Sequence, residues 1–414
     1  MIADIVRPDF VVLDSAAMTE KIRTFADLLH PVTPEEFFAE YHDKKPLHIP
    51  GTSDKFASVM SWRTLNDLLN MTSVWSGTSL HLMLDTKTVS ASDYCRPAID
   101  RNNVQSMQPD AARITALLRQ GASLIANDVD ALSPGLRSVA EALESALGAK
   151  AQANAYCSWR QRQAFDSHFD THDAYAIHLE GEKVWQVYRT RADRPIAHPR
   201  FKQFGQAHHE RAKGKVLMQV KMRPGDLLYL PRGQYHDALA SDASALHVTF
   251  GLTAVIGIDF VDLVRELAIG DPLFRANVPG PGSDDQGLMD HMRNLAQRLG
   301  EITASPEALE QFKRFRQEHR YHRGGFRLPD SVLVPEFRVR ARGLSVVKAG
   351  NDWALADRAR SVPIPPGSDR LVAWIIAREH FSGADIAAAF PDKSVEDRAR
   401  LLRDLAAMKV IEPA

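Results

Sequence analysis

Two short stretches constrain this chain more than any other. One is His168-Phe169-Asp170, inside FDSHFDTHDAYAIHLEGEKVWQVY at 165–188, and the other is His236, inside GDLLYLPRGQYHDA at 225–238. A histidine and a carboxylate two apart in an extended segment leave the same face of one strand and can grip one cation. His236 follows a strand and a tight turn, far enough downstream to lie on a neighbouring strand. Two imidazoles and one carboxylate on one face of a β-barrel make a facial triad of the kind that holds non-haem Fe(II) and leaves positions open for co-substrate and O₂. Such a site is catalytic rather than structural, because a structural zinc would be closed by a fourth Cys or His. Cys157 offers that fourth ligand only on paper. By softness alone Fe(II), Mn and Zn fit these ligands almost equally.

The His-x-acid triplet is weak in isolation. With 16 His and 52 acidic residues in 414, chance supplies roughly two, and the chain has three. His208-His209-Glu210 sits in the charged run HHERAKGK and reads as solvated loop, while His178-Leu179-Glu180 lies where a strand meets the Gly181 turn. Neither has a suitable downstream partner. The alternative for His168 and Asp170 is a pair of surface polar groups.

At 414 residues the chain predicts two or three domains with ample core. Its 44% hydrophobic and 25% charged residues argue against disorder, and its net charge of −1 hides a patchwork. Two cysteines cannot make a disulfide framework, and no apolar run approaches a membrane span. The N-terminal MIADIVRPDF has no basic stretch before an apolar run, so it does not read as a signal peptide. A reducing, cytoplasmic compartment is expected.

Along the chain, residues 9–30 read as an amphipathic lead-in. Thr33-Pro34-Glu35-Glu36 opens a helix to about Tyr41, and Pro46–Gly51 reads as a short strand and turn. Helices follow at Ser61–Asn70, at Asp110–Gln120 and from Ser133-Pro134 to Gly148, with an apolar strand at Ala122–Ala126. From 151 to 256 the pattern changes to short strands, at 152–156, 169–179, 184–188, 216–222, 227–230 and 246–252, as in a double-sheet jelly roll. After 257 the chain becomes helical. The helix opened by Ser305-Pro306 ends in a basic run, Lys313, Arg314, Arg316, Arg320 and Arg323, read as a solvated or partner-facing face, with an acidic or nucleic-acid surface as the alternative. The last seventy or so residues combine strands at 344–348 and 353–358 with three helices and a terminal strand, suggesting a winged-helix-like module. Its second helix, Gly383–Phe390, is mostly Ala without Lys or Arg, which argues against direct DNA binding.

In these motifs and their order the sequence resembles the JmjC/cupin-type 2-oxoglutarate oxygenases, and within them the ribosomal oxygenases. The resemblance runs through TPEEFFAEYHDKKPLHIPG at 33–51, GASLIANDVD at 121–130, ANAY at 153–156, HFDTHDAYAIHLEGEKVW at 168–185, GDLLYLPRGQYHDA at 225–238 and ALHVTFGL at 245–252. It implies metal ligation by His168, Asp170 and His236, and Fe(II) and 2-oxoglutarate as cofactor and co-substrate. Lys183 falls on the family's basic anchor for the distal carboxylate, which suits its position after the Leu179–Glu182 turn; an ordinary exposed lysine is the alternative. Asn154 and Tyr156 share one strand face and match positions lining the co-substrate pocket, with packing roles as the alternative. The implied architecture is α+β: an N-terminal extension at 1–30, a double-stranded β-helix (jelly-roll/cupin) catalytic domain at 31–256, a helical dimerisation region at 257–330 and a winged-helix-like domain at 331–414. The 157–167 stretch, CSWRQRQAFDS, departs from the small, Gly/Pro-rich approach of the family, and the loop at 189–215 is long and basic; both are candidates for the substrate entrance.

Three function classes follow. The first is a hydroxylase of a protein or peptide side chain, a ribosomal protein included, working as a homodimer and releasing succinate and CO₂. The second is a small-molecule hydroxylase in natural-product tailoring. The third is a non-catalytic cupin that senses a ligand.

Overall fold

A computed structural model describes residues 22–71, 74–99, 105–159, 165–240, 244–324, 336–340, 343–350, 352–356 and 361–414. The chain divides into two compact units, one ending at Gly324 and one running from Gly325 to Ala414.

In the first unit the strands are β1 (Leu47–Ile49), β2 (Leu80–Leu84), β3 (Lys87–Thr88), β4 (Cys95–Ile99), β5 (Gln105–Pro109), β6 (Ser123–Ala126), β7 (Ala149–Ser158), β8 (Asp173–Glu180), β9 (Lys183–Arg191), β10 (Val216–Met222), β11 (Leu227–Leu230), β12 (Gln234–Ala240) and β13 (Ala245–Ala254). Among the described residues they form a large antiparallel sheet in the order β1-β11-β8-β13-β7-β6-β2-β3, a small one in the order β10-β9-β12, and the separate hairpin β4-β5. This is the cupin-type arrangement of antiparallel sheets and flanking helices.

Period-two patterning decides which face of the large sheet is dry. In β7 the residues Ala149, Ala151, Ala153, Ala155 and Cys157 all point to one side and are fully buried. Helix Pro134–Leu147 contributes Leu136, Val139, Ala140 and Leu143 to the same core, and the short alanine side chains let it pack closely on the strand. Leu246, Val248, Phe250 and Leu252 of β13 and Tyr175, Ile177 and Leu179 of β8 continue this core. The opposite face meets the small sheet through Ala174, Ala176, Leu228 and Leu230, packed on Trp185, Val187, Val220 and Met222. A hydrophobic layer thus closes one end of the space between the sheets and leaves the other end to polar residues.

The helices begin where the caps predict. Thr33, Ser61, Asp110, Ser133 and Ser305 each accept a backbone N–H with their side chain at a helix start, and Gly148 ends its helix in the left-handed region at φ 59°. Of the lead-in predicted at 9–30, residues 9–21 lie outside the described residues, and Phe25–Leu29 is a short helix with a capping box at Thr24. Gly181 joins β8 to β9 at φ 70°; a Cβ there would lie 1.9 Å from the Ser244 carbonyl oxygen, so the turn requires glycine.

Two expectations change. The stretch read as a loop at 189–215 contains the end of β9 and the helices Pro199–Lys202 and Gln206–Ala212. The basic run after Pro306 is not one solvated face, because Arg323 turns inward. Its side chain is 3% exposed, and it pairs with Asp130 at 2.6 Å and with Glu144 at 2.7 Å beside β7. Two carboxylates buried against the barrel need a cation there, and Arg323 meets both with its fixed fork of donors.

In the second unit, β14 (Glu336–Val339) pairs with β18 (His380–Ser382) and β19 (Ile411–Pro413), while β15 (Ser345–Ala349), β16 (Asp352–Ala356) and β17 (Ser361–Pro363) form a separate sheet. Helices Asp369–Ile376, Gly383–Ala389 and Val395–Ala407 pack on these through Leu371, Val372, Ile375, Ile386, Leu401 and Leu405.

Candidate active site

His168, Asp170 and His236 converge, each offering a ligand atom within 4.8 Å of the others. His236 Nε2 is 3.6 Å from an Asp170 oxygen, and the two imidazole rings lie 4.6 Å apart. The second nitrogen of each ring is already used: His168 Nδ1 lies 2.7 Å from the Asp166 carbonyl and His236 Nδ1 lies 2.9 Å from the Gln234 carbonyl. Those contacts fix ring orientation and leave Nε2 for a cation.

The local backbone differs from the extended ligand strand predicted at 169–179. Strand β8 begins only at Asp173, and His168 makes an isolated antiparallel bridge to His236, closed by reciprocal N–H to O bonds of 3.0 and 2.9 Å. Gly233 N–H then donates to the Asp170 carbonyl, and after Thr171-His172 the chain pairs with β11 and β13 of the large sheet. The ligand segment is where the chain changes sheets, which is why a regular strand cannot carry it. His236 follows β11 and a turn, as expected, and lies on the neighbouring strand β12. Lys183 sits on β9, which is paired with β10 and with the β12 strand of His236, not with the segment of His168 and Asp170.

Burial and charge shape the site. Burial pushes the His236 imidazole down to about 4, with His168 nearby adding to the effect. Burial acts to raise the Asp170 carboxyl, but His172, His236 and His168 surround it and hold it below its ordinary value. His172 itself packs on Gly251, where a Cβ would come within 2.6 Å of the ring.

Behind the triad, the inward face of the barrel carries nitrogen donors without partners. Lys183 is 6% exposed and makes no hydrogen bond or ion pair among the described residues; burial brings its ammonium down to about 8. Trp185 Nε1 is buried with no hydrogen-bond partner among the described residues, and Trp185 stacks on His236 at 5.8 Å. His247 Nδ1 is likewise unpartnered there and donates or accepts according to its tautomer, whereas His178, with Nε2 on the Gly181 carbonyl, presents Nδ1 as an acceptor. Buried donors are costly unless something accepts from them. A small dicarboxylate fits this donor set, as a divalent cation fits the triad. Tyr156 lies against His247, stacked at 4.8 Å, and its phenol is pushed up to about 12 by burial and by Asp170. Asn154 is on the same face of β7, where its side-chain oxygen accepts from Asp128 N–H at 3.2 Å.

The triad opens into a cleft of about 850 Å³ lined by His168, Asp170, His172, Phe201, His209 and the 252–256 segment. Phe201 and His209 come from the 189–215 stretch. Of the 157–167 approach, 160–164 lie outside the described residues, while Phe165 contacts the rings of Tyr156 and His168. Cys157 points away, into an apolar cavity of about 410 Å³ on the far side of the large sheet between Trp62 and Trp159, which removes it as a ligand. The other two triplets stay apart from the centre. His178 is buried with Nε2 3.0 Å from the Gly181 carbonyl, and His208 stacks on Phe204 in a surface helix.

Sequence reasoning missed Trp185, His247 and His172. The alternation of β9 and β13 puts Trp185 two residues from Lys183, and His247 opposite Tyr156. That pattern was the available clue.

Residues 132–259 match the JmjC domain family. The chain is 26% identical over 298 residues to a bifunctional lysine-specific demethylase and histidyl-hydroxylase NO66 of Drosophila persimilis, covering 67% of this chain and 41% of that protein. It is 30% identical over 228 residues to ribosomal oxygenase 1 of Gallus gallus, covering 54% and 36% respectively. The chain thus spans well under half the length of either relative. Among solved structures, YcfD, a ribosomal oxygenase from Escherichia coli in complex with cobalt and 2-oxoglutarate, shares the fold with a TM-score of 0.50 at 15% identity, over 92% of this chain and 98% of that one. No described helix is long and apolar enough to cross a membrane. Its domain match, confined to residues 132–259, and its relatives make the chain similar to the ribosomal oxygenases that carry a JmjC domain.

Proposed function

We propose that the chain is an Fe(II)- and 2-oxoglutarate-dependent oxygenase that hydroxylates a side chain of a protein or peptide substrate, with release of succinate and CO₂. The observation that carries this reading is the meeting, in one barrel, of three converging metal donors with a buried lysine, Lys183, that has no ion-pair partner among the described residues. Iron, when bound with O₂ and 2-oxoglutarate, supplies the oxidising power for C–H hydroxylation. The chain supplies the rest. His168, Asp170 and His236 hold the ion from one side and leave the cleft side free. Lys183 anchors the distal carboxylate, Trp185 and His247 offer further donors, and Tyr156 walls the pocket. Asn154 acts from behind, tying the Asp128 loop to the Tyr156 strand. The apolar layer of Ala174, Ala176, Leu228 and Leu230 keeps bulk water from the inner end.

A polypeptide substrate is favoured because the cleft beside the metal donors, about 850 Å³, has the volume to take a substrate side chain. Relatives named ribosomal oxygenase support a ribosomal protein as that substrate, and with it a cytoplasmic, ribosome-associated site of action. We extend the proposal to a homodimer formed by the helical region at 257–330, where Val261, Ile269, Met289, Met292 and Leu309 are exposed. The 331–414 region is the winged-helix-like domain, its three-helix core flanked by short strands.

The test uses purified protein with Fe(II) and 2-oxoglutarate, assayed for succinate alone and then with ribosomes. A polypeptide gaining the mass of one oxygen atom supports the proposal. No succinate and no iron uptake refutes it.

A further inference from the structure

The bridge between the first and third metal donors is only one residue pair long, yet it must hold two imidazoles in register. The antiparallel pairing His168↔His236 implies the next pairs on either side, Phe169 opposite Tyr235 and Ser167 opposite Asp237. Alternation sends these four side chains to the face opposite the histidines. Phe169 and Tyr235 meet edge to face at 5.2 Å. On the other side, Ser167 Oγ donates to Asp237 Oδ2 at 2.6 Å, and Tyr188 of β9 donates to the same oxygen at 2.5 Å. Ser167 and Asp237 are both buried. Lys213 then donates to Ser167 Oγ at 2.9 Å, pairs with Glu210 at 2.6 Å and lies over the Tyr188 ring at 4.6 Å. Gln206 donates to the Ser167 carbonyl at 3.1 Å.

Gln206, Glu210 and Lys213 belong to the helix Gln206–Ala212 and its C-terminal cap, the element that contributes His209 to the cleft wall. The polar cluster therefore joins three things: the backbone of the first donor, the backbone of the third, and the helix beside the cleft.

Resting on the metal-centre reading above, we propose that Ser167 and Asp237, braced by Tyr188 and Lys213, are positioning residues: a polar cross-strand clasp behind the metal centre that sets the His168–His236 spacing and ties it to the cleft helix. None of the four reaches the cation. Their effect passes through the backbone of the adjacent donors, much as outer hydrogen bonds around a metal commonly change its affinity tenfold or more.

The experiment compares Co(II) binding to the metal-free full chain by calorimetry, together with the visible absorption of the bound Co(II), in wild type, Ser167→Ala, Ser167→Thr and Tyr188→Phe. Ser167→Ala is expected to weaken Co(II) binding about tenfold and to change the position or intensity of the Co(II) bands. Ser167→Thr, which keeps the hydroxyl, restores both. Tyr188→Phe, which removes one oxygen and no packing, shifts affinity in the same direction by less and covers the case in which Ser167→Ala does not fold. Wild-type affinity and spectrum in folded Ser167→Ala and in Tyr188→Phe overturn the clasp while leaving the metal centre standing. Failure of the wild type to take up Co(II) overturns the metal centre and the clasp with it.

Discussion

Lys183→Met separates a working anchor from an incidental lysine, because it moves stability and binding in opposite directions. Lys183 is 6% exposed, has no acid paired with it among the described residues, and its ammonium is brought from 10.5 down to about 8 by burial. At about 1.4 kcal/mol per pH unit, keeping that proton in the folded protein costs about 3 kcal/mol. Methionine fills a similar volume without the charge, so the ligand-free variant is expected to be more stable than wild type at pH 7, by up to about 3 kcal/mol. The sign follows from linkage. Below pH 8 both folded and unfolded chains hold the proton and the full cost is present. Between about 8 and 10.5 the folded protein has released it while the unfolded chain keeps it. Wild-type stability therefore rises with pH across that window relative to the variant, and the gap closes. Co-substrate binding moves the other way. Removing one partner of a buried charge pair costs about 2–5 kcal/mol, so 2-oxoglutarate affinity for the Mn(II)-loaded protein should fall at least 30-fold or so. Chemical denaturation at several pH values and calorimetric titration with 2-oxoglutarate read the two effects. A variant less stable than wild type at pH 7, or one that binds 2-oxoglutarate normally, refutes the reasoning.

His168→Ala and Asp170→Ala are each expected to abolish succinate release, and full turnover by either would remove the triad assignment. Arg323→Met leaves Asp130 and Glu144 buried without their cation and should destabilise the first unit by about 3–5 kcal/mol, read by chemical denaturation. Gly181→Ala forces a Cβ onto the Ser244 carbonyl and should lower stability by about 1–3 kcal/mol or more, measured the same way.

Much of this molecule was legible in the order of its residues. Helix starts at Thr33, Ser61, Asp110, Ser133 and Ser305 were readable because capping is local chemistry, and the strand read at 152–156, with Asn154 and Tyr156 on one face, lies within β7. The triad residues stood out through their company rather than their spacing. What escaped notice has a physical reason in each case. Strand β12 reads QYHDALA, with polar or small residues on both faces, so no hydrophobic period marks it. The outward side chains of its first half are satisfied by Ser167, Tyr188 and Phe169, contacts that exist only once the sheets have closed. The hairpin β4-β5 is largely exposed and carries no period either. Arg323 sat in a run of like charges, and only the distant Asp130 and Glu144 distinguish it from its neighbours.

That arginine has a consequence for where the molecule can be divided. The shift from strands to helices at 256–257 looks like a natural place to cut, yet a fragment ending there would lose the guanidinium that neutralises two acids on the wall of the barrel. Glu144 Oε1 also accepts from the Ala151 N–H at 3.0 Å, and Asp130 Oδ1 accepts from the Ala153 N–H at 3.2 Å, so the liberated charges would bear directly on β7, the strand that carries Tyr156. The shortest autonomous fragment that keeps the barrel intact should therefore run to about Gly324, with the segment that follows the helix Pro306–Glu318 serving as part of the barrel wall rather than an appendage to it.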